Sequence, residues 1–477
     1  MSEATFLPNH FVMEGSHQGE LFMIMTIVCL SLLLRNITIP WIFLGKKFYA
    51  TNSSYWFKFS LDFGFLVLPS LLSVTLFSSS LVFIIICLIV CLVTMLVFVF
   101  CEYLMSLDRV PWRTVMNKIV DEHYGPTTFI TYFRGMMLIL VSIAILAVDF
   151  PLFPERFHKT EHYGHSLMDI GVSAFVVSAS MSSRLKTSSM IEGKELRQKS
   201  KWWWLKSSYF VLPLIGLTRT VVVSFLGYHQ PVTEYGVHWN FFYTIAILRI
   251  VSKLFPSKYP LVFAIIFGVL HQFILVRGLE EFILFDENKR EDFFYANIEG
   301  IGSLLGYITL HFASRVVADF IAGTGIRVKS WLECCLRLFS IAGFFLCLQA
   351  FSEWTFGLPS RRVTNITYIL SQLSLLIFSL ASCLVVQMFS MVTWAANAPH
   401  FSTDDNPFCG ILPCLCDSVN KNGLIFFLLA NLLTGAVNIV LDTKSINDTT
   451  AFLILFSYIL LLCIVVQYRS FVPKKNN

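Results

Sequence analysis

The chain has 477 residues, of which 56% are hydrophobic and only 14% charged, with 47 Phe and a formal net charge of +5. Its mean hydropathy is +0.70. A soluble domain carries close to a quarter charged residues, so the composition excludes one. A charge this small for the length also calls for no nucleic-acid surface. The expectation is an all-α, polytopic membrane protein.

A helix needs about 20 apolar residues to cross the hydrocarbon, and only a helix or a closed barrel satisfies its backbone there. Runs of that kind number about thirteen. They fall at 21–44, 59–77, 80–100, 131–149, 167–183, 207–227, 238–255, 259–276, 298–320, 332–351, 365–395, 423–441 and 449–468. The eleventh is long enough to hide a kink or a break. Ahead of the first run stand Glu3, Glu14 and Glu20 with no Lys or Arg. A cleavable signal needs a basic start, so the first span is expected to stay.

Lys and Arg in short loops set orientation. With the N-terminus lumenal, the cytosolic loops hold Lys46, Lys47 and Lys58, then Arg109, Arg113 and Lys118, then the basic stretch from Arg184 to Lys206 with its "KWWWLK". The acidic "GLEEFILFDENKREDFF" falls in the lumen, and the C-terminus in the cytosol. The expected organisation is a lumenal segment 1–20, one membrane domain 21–468 and a cytosolic tail 469–477. Lys474 and Lys475 in that tail sit where a dilysine retrieval signal for the endoplasmic reticulum would.

Along the chain, the polar residues near span ends each admit two readings. Asp149 closes the fourth span, and Lys159 follows across a loop stiffened by Pro151 and Pro154. A partly desolvated carboxylate can accept a hydroxyl proton, and an ammonium can hold an oxyanion or a phosphate. The plain reading is interfacial decoration with a snorkelling lysine. His165 and Asp169 are four apart, which on a helix puts them on one face as a general-base pair; a structural role explains them equally. His238 and Asn240 lie in "TEYGVHWNFFYT", beside Glu234, as an aromatic belt or as groups that grip a polyol. His271 in the eighth span reads as a catalytic hint or a helix-bridging hydrogen bond. Arg361 and Arg362 fall on the lumenal side against the charge rule, which suggests another task.

The basic loop from Arg184 also offers charge for the phosphates of a cytosolic acyl-CoA. Asn365 and Asn447 head glycosylation sequons. The twelve Cys sit mostly in apolar runs and imply no disulfide framework. Cys409, Cys414 and Cys416 fit no zinc spacing, leaving palmitoylation or no role. No metal site is expected.

Six segments carry a resemblance when taken in order. "AVDFPLFPERFHKTEHYG", "SLMDIGVSAF", "TEYGVHWNFFYT", "NIEGIGSLLGY", "SRRVTN" and "LLANLLTGAVN" resemble the membrane-embedded inositol acyltransferases of GPI-anchor synthesis, from about residue 130 onward. The resemblance implies an endoplasmic-reticulum enzyme of thirteen spans that moves a fatty acyl chain, such as palmitoyl, from acyl-CoA to the inositol 2-hydroxyl of glucosaminyl-phosphatidylinositol. It implies no cofactor besides the acyl-CoA co-substrate. Partners are then acyl-CoA, that glycolipid and membrane lipids, with no nucleic acid and no protein partner specified.

The resemblance also places catalysis on Asp149 and Lys159; from the residues themselves, Arg156, His165, Asp169, His238, Asn240, Arg361 and Arg362 are the substrate-binding candidates. The chain departs from the family pattern at Glu155 and His158, which lower the local positive charge, and at Leu305, where the family has Pro. Two other classes remain open on composition: a multi-span lipid transporter or scramblase, and a non-catalytic assembly subunit. No internal repeat is visible, and the charges lie towards span ends, which counts against ion-coupled transport.

Overall fold

The computed structural model describes residues 14–43, 52–105, 111, 113, 128–192, 208–226, 234–255, 258–285, 292–324, 328–397 and 414–471. Lys46, Lys47, Arg109, Lys118, "KWWWLK", Cys409 and the dilysine pair lie outside them. Among the described residues the chain is helical, apart from one pair of two-residue strands. It is an all-α polytopic membrane protein.

Among the described residues ten helices are long and apolar enough to cross a bilayer. The other three expected spans are also helical, at Ile170–Glu192, Ser208–Leu226 and Phe241–Leu254. The first of these is diluted by five serines between Ser173 and Ser183, and the last is only 14 residues long. The run suspected of hiding a break is one continuous helix, Ile366–Asn397. At 1.5 Å per residue its 32 residues reach about 48 Å, well beyond the hydrocarbon thickness.

The described chain forms two compact units. One contains residues 18–157, 324–341 and 377–477. Its centre is α1 (Gln18–Phe43), apolar all round and buried at Leu21, Ile24, Ile27, Leu32 and Ile37. A helix that is hydrophobic on every face belongs inside. By contrast α4 (Leu81–Met105), which follows the short α3 (Leu68–Val74), leaves most of its Val, Ile and Phe exposed, as a lipid-facing helix does. Arg35 of α1 is fully buried and pairs at 2.7 Å with Asp62, the last residue of α2 (Asn52–Asp62). The backbone N–H of Leu415 donates to the same carboxylate. A buried charge needs such a saturated setting.

In the same unit α5 (Thr128–Ala147) comes so close to the backbone of Cys416 that a Cβ at Gly135 would lie 2.6 Å from the Cys416 carbonyl oxygen. Cys414 and Cys416 are fully buried. Burial removes them from a palmitoylating enzyme, so the sequence reading of modified loop cysteines is corrected for this pair.

The other unit contains residues 1–17, 158–323 and 342–376. It packs α6 (Ile170–Glu192), α8 (Phe241–Leu254) and α9 (Pro260–Ile274) around α13 (Leu304–Ala322), with α7 (Ser208–Leu226) against α8; α10, α11 and α12 are the short helices Glu280–Phe285, Phe293–Ala296 and Ile298–Gly302. The strands β1 (Glu14–Gly15) and β2 (Gly164–His165) pair in parallel. Gly15 and Gly164 have φ of +83° and +150°, and a Cβ at either would fall 2.2 Å or less from a carbonyl oxygen of the opposite strand. Only glycine permits that approach.

Candidate functional site

The polar groups of the second of these units converge on the segment that leads from the Pro151–Pro154 turn into α6. Lys159 forms an ion pair with Glu234, both side chains mostly buried. The next residue, Thr160, donates its hydroxyl to Asp169 Oδ2 at 2.8 Å. The other oxygen of that carboxylate lies 2.9 Å from Arg361 Nε, with both residues buried. Tyr368 donates its hydroxyl to the Asp169 carbonyl at 2.6 Å. Glu14 of β1 receives the backbone N–H groups of Glu161 and His162 and faces His162 Nδ1 at 3.1 Å.

Burial sets the electrostatics here. It holds the Lys159 amine below the usual lysine range, and the Arg361 guanidinium adds to this, while Glu234 acts against it. For Glu234, burial favours the neutral acid, but the Lys159 ammonium prevails and the carboxyl stays below its usual range. Burial pushes Asp169 upward, opposed by Arg361 and by the Thr160 hydrogen bonds. The set offers an ammonium, a guanidinium and hydroxyls in low-dielectric surroundings, suited to holding a phosphate or a developing oxyanion.

The "SRRVTN" segment supplies the rest of this framework. Arg362 donates to the carbonyls of Glu161 at 3.2 Å and Ile283 at 2.9 Å, and pairs with buried Glu299 at 3.4 Å. His271 Nε2 donates to the Val363 carbonyl at 2.9 Å, which is the bridging use of that histidine. Thr364 takes φ of 52°, and a Cβ at Gly306 would lie 2.5 Å from its carbonyl oxygen. Asn365 is fully buried; its amide donates to Leu358 and its oxygen accepts from Ser360 and Tyr368. An asparagine so engaged is a turn residue, so the sequon reading at Asn365 is corrected. Asn447 is exposed.

Other sequence candidates take separate places. The expectation that His165 and Asp169 share a helical face fails, because α6 begins at Ile170 and His165 belongs to β2. His165 instead faces Ser371 at 3.2 Å and Glu353 at 3.8 Å. Asn240 caps α8: its oxygen accepts from Phe242 N–H, and its amide donates to Gly216 and Thr220. His238 is exposed and stacks on Phe293 at 6.2 Å.

Asp149 and Arg156 belong to the unit built on α1. Asp149 follows the last turn of α5 and accepts from Asn438 Nδ2 at 2.9 Å. Arg156 pairs with Glu20 at 3.1 Å and donates to the Ser78 carbonyl at 3.0 Å. Among the described residues no group of three or more His, Cys, Asp or Glu is placed to hold a metal ion.

Thr160, Glu299 and Tyr368 were not chosen from the sequence as site residues, and Glu234 stood there only beside His238 and Asn240, not as the partner of Lys159. Glu234 stands 75 residues from Lys159, and a local pattern carries no trace of that pairing.

The GWT1 family model matches residues 7–468. The chain is 30% identical over 484 residues to the mouse protein named glucosaminyl-phosphatidylinositol-acyltransferase PIGW, covering 94% of this chain and 93% of that one. It is 30% identical over 448 residues to GPI-anchored wall transfer protein 1 of Saccharomyces cerevisiae, covering 84% and 85%. A Dictyostelium discoideum protein named phosphatidylinositol-glycan biosynthesis class W protein is 26% identical, with 96% of each chain covered.

Proposed function

Because the chain belongs to the GWT1 family, we propose that it transfers a fatty acyl chain from acyl-CoA to the inositol 2-hydroxyl of glucosaminyl-phosphatidylinositol, as an enzyme of GPI-anchor synthesis in the endoplasmic reticulum membrane. The observation that carries this reading is likeness along nearly the whole length to relatives named for that acyltransferase. The finer topology belongs to the same proposal: thirteen spans, a lumenal N-terminus and a cytosolic C-terminus.

In the proposed reaction the 2-hydroxyl oxygen adds to the thioester carbonyl carbon while its proton passes to the Asp149 carboxylate. The oxyanion is held by the Lys159 ammonium. Collapse breaks the carbon–sulfur bond, and the departing sulfur takes the proton back and leaves as coenzyme A thiol. General-base and oxyanion contributions of this kind are each worth about 10²–10⁴ in rate. Asn438, donating to Asp149, orients the base. Glu234 keeps the Lys159 proton in place, and Arg361 adds positive charge for the inositol phosphate.

The test uses membranes from cells lacking their own inositol acyltransferase, supplied with this chain, labelled palmitoyl-CoA and glucosaminyl-phosphatidylinositol. Label is expected in a lipid resistant to inositol-specific phospholipase C. It should be lost in Asp149→Asn and Lys159→Ala proteins of normal abundance. Activity surviving in both variants would remove the catalytic assignment, and no labelled product from the parent would remove the reaction.

A further inference from the structure

A second group of basic residues lies in the unit that contains Lys159, further along the same helices. A cavity of about 380 Å³ opens between α6, α7, α8 and α13, lined by Arg249, Lys253, Arg315 and His311 among others. Among the described residues no carboxylate lines it. Arg315 and His311 are 8% and 4% exposed. Arg249 Nε, Arg315 Nε and His311 Nε2 are buried atoms without a hydrogen-bond partner. Among the described residues the Arg315 guanidinium donates to the Ser252 hydroxyl, at 3.3 Å. Asp319, one helical turn beyond Arg315, is already paired with Arg184.

Three cations and an imidazole around one cavity repel one another, and Arg315 and His311 are buried there while Arg249 is half-buried, a costly state unless an anion completes it. The donors fit the oxygens of phosphate groups, which guanidinium pairs hold strongly. Two aromatic side chains, Tyr209 and Phe255, share the lining, and the Lys253 ammonium stands 5.4 Å from the Tyr209 ring centre. Aromatic faces beside cations suit a nucleotide base better than a lipid headgroup. The volume lies in the range of ligand pockets. From Ile170, beside Asp169, to Ser183 on the cavity wall, α6 advances about 20 Å.

We propose that this cavity seats the phosphate groups of coenzyme A in the acyl donor, with Arg249, Arg315 and Lys253 on the phosphate oxygens. The proposal rests on the acyl-CoA reading above. The phosphopantetheine arm then extends along α6 towards the end that carries Asp169 and Lys159, bringing the thioester away from the nucleotide. Lys253 in the last turn of α8, like Arg184 of α6, carries the positive charge expected on the cytosolic side, where the donor is supplied.

The test is a binding titration of the purified full chain in detergent with labelled coenzyme A that carries no acyl group. Arg249→Gln and Arg315→Gln are expected to weaken binding about tenfold or more, Lys253→Gln several-fold, and Arg315→Lys least. Lys253 is exposed, so its variant folds even where a buried one fails. Adenosine 3′,5′-bisphosphate should compete, and micelles doped with phosphatidylinositol should not.

Unchanged affinity in Arg249→Gln, Arg315→Gln and Lys253→Gln overturns the proposal. So does displacement by phosphatidylinositol without displacement by the bisphosphate, which assigns the cavity to a lipid headgroup. Acyl transfer by the parent is read on the same preparation. Transfer with unaltered variant affinities removes the cavity assignment and leaves the reaction standing; binding that depends on Arg249 and Arg315 without any transfer does the reverse.

Discussion

Two ends of one pair of helices, α6 and α13, are both rich in basic side chains and treat them in opposite ways. At the end near Asp169, each cation has its own carboxylate: Lys159 with Glu234, Arg361 with Asp169, Arg362 with Glu299. At the end near Arg315, three cations line a cavity with no carboxylate among the described residues, and Arg184, outside the lining, is paired with Asp319. Neutralised charges hold a framework in place whether or not a substrate is bound. Uncompensated buried charges are stable only if an anion arrives. The first end therefore carries its electrostatic balance within the fold, and the second leaves it to a ligand.

The contrast breaks first at Arg361. Arg361→Ala leaves Asp169 buried without its ion-pair partner and should cost about 3–5 kcal/mol, read as a lowered unfolding temperature in detergent. An unchanged melting temperature would mean that the paired end is no better built than the cavity end. A glycine pair on α13 sharpens the same point. Gly306→Ala drives a methyl into the Thr364 backbone and should cost about 1–3 kcal/mol. Gly323→Ala at the other end meets nothing nearer than 3.5 Å and should be neutral within about 0.5 kcal/mol.

Smaller still, Arg315→Gln relieves an uncompensated charge. It should leave ligand-free stability within about 1 kcal/mol of the parent or above it, the opposite sign to Arg361→Ala.

The pH profile gives the finest test. The Lys159 amine lies below the usual lysine range, because burial and Arg361 outweigh Glu234. Activity that needs the ammonium therefore falls as pH rises through a value below 10.5. Glu234→Gln removes the carboxylate bonded to it, so this alkaline limb should move to lower pH. The sign for stability is separate: the folded Glu234 carboxyl lies below its unfolded value of 4.5, so the stability it contributes is present above pH 4.5 and lost as pH falls through the lower folded value. A limb unmoved in Glu234→Gln would detach Lys159 from the rate.

Much of this architecture is legible in the sequence because hydropathy is local. The ten long apolar helices stand where the apolar runs do, since an uninterrupted run buries or exposes itself to lipid without reference to distant residues. Residue spacing is a poorer guide near the site. His165 and Asp169 are four apart, but Gly164, at φ +150° against β1, holds His165 in a strand, so helical periodicity does not apply. Asn240 and Asn365 are polar and near span ends, as substrate-contact or glycosylated residues would be, yet both spend their amides on capping and turn closure. The cavity left only a faint sign: the basic residues from Arg184 onward suggested acyl-CoA phosphates, while Arg249 and Arg315 read as ordinary span-end charges.

By itself, the sequence determined that this chain is a helical membrane protein, where most of its long helices run, and the family to which its ordered motifs belong. Each of these rests on composition or on short contiguous patterns. The tertiary structure alone decided which carboxylate each cation meets, since Glu234 reaches Lys159 across 75 residues and Asp169 reaches Arg361 across the unit. It also decided that, among the described residues, Arg249, Lys253 and Arg315 line a cavity that holds no carboxylate. Electrostatic partnership depends on distance through space and on lost solvent, and a linear pattern specifies neither.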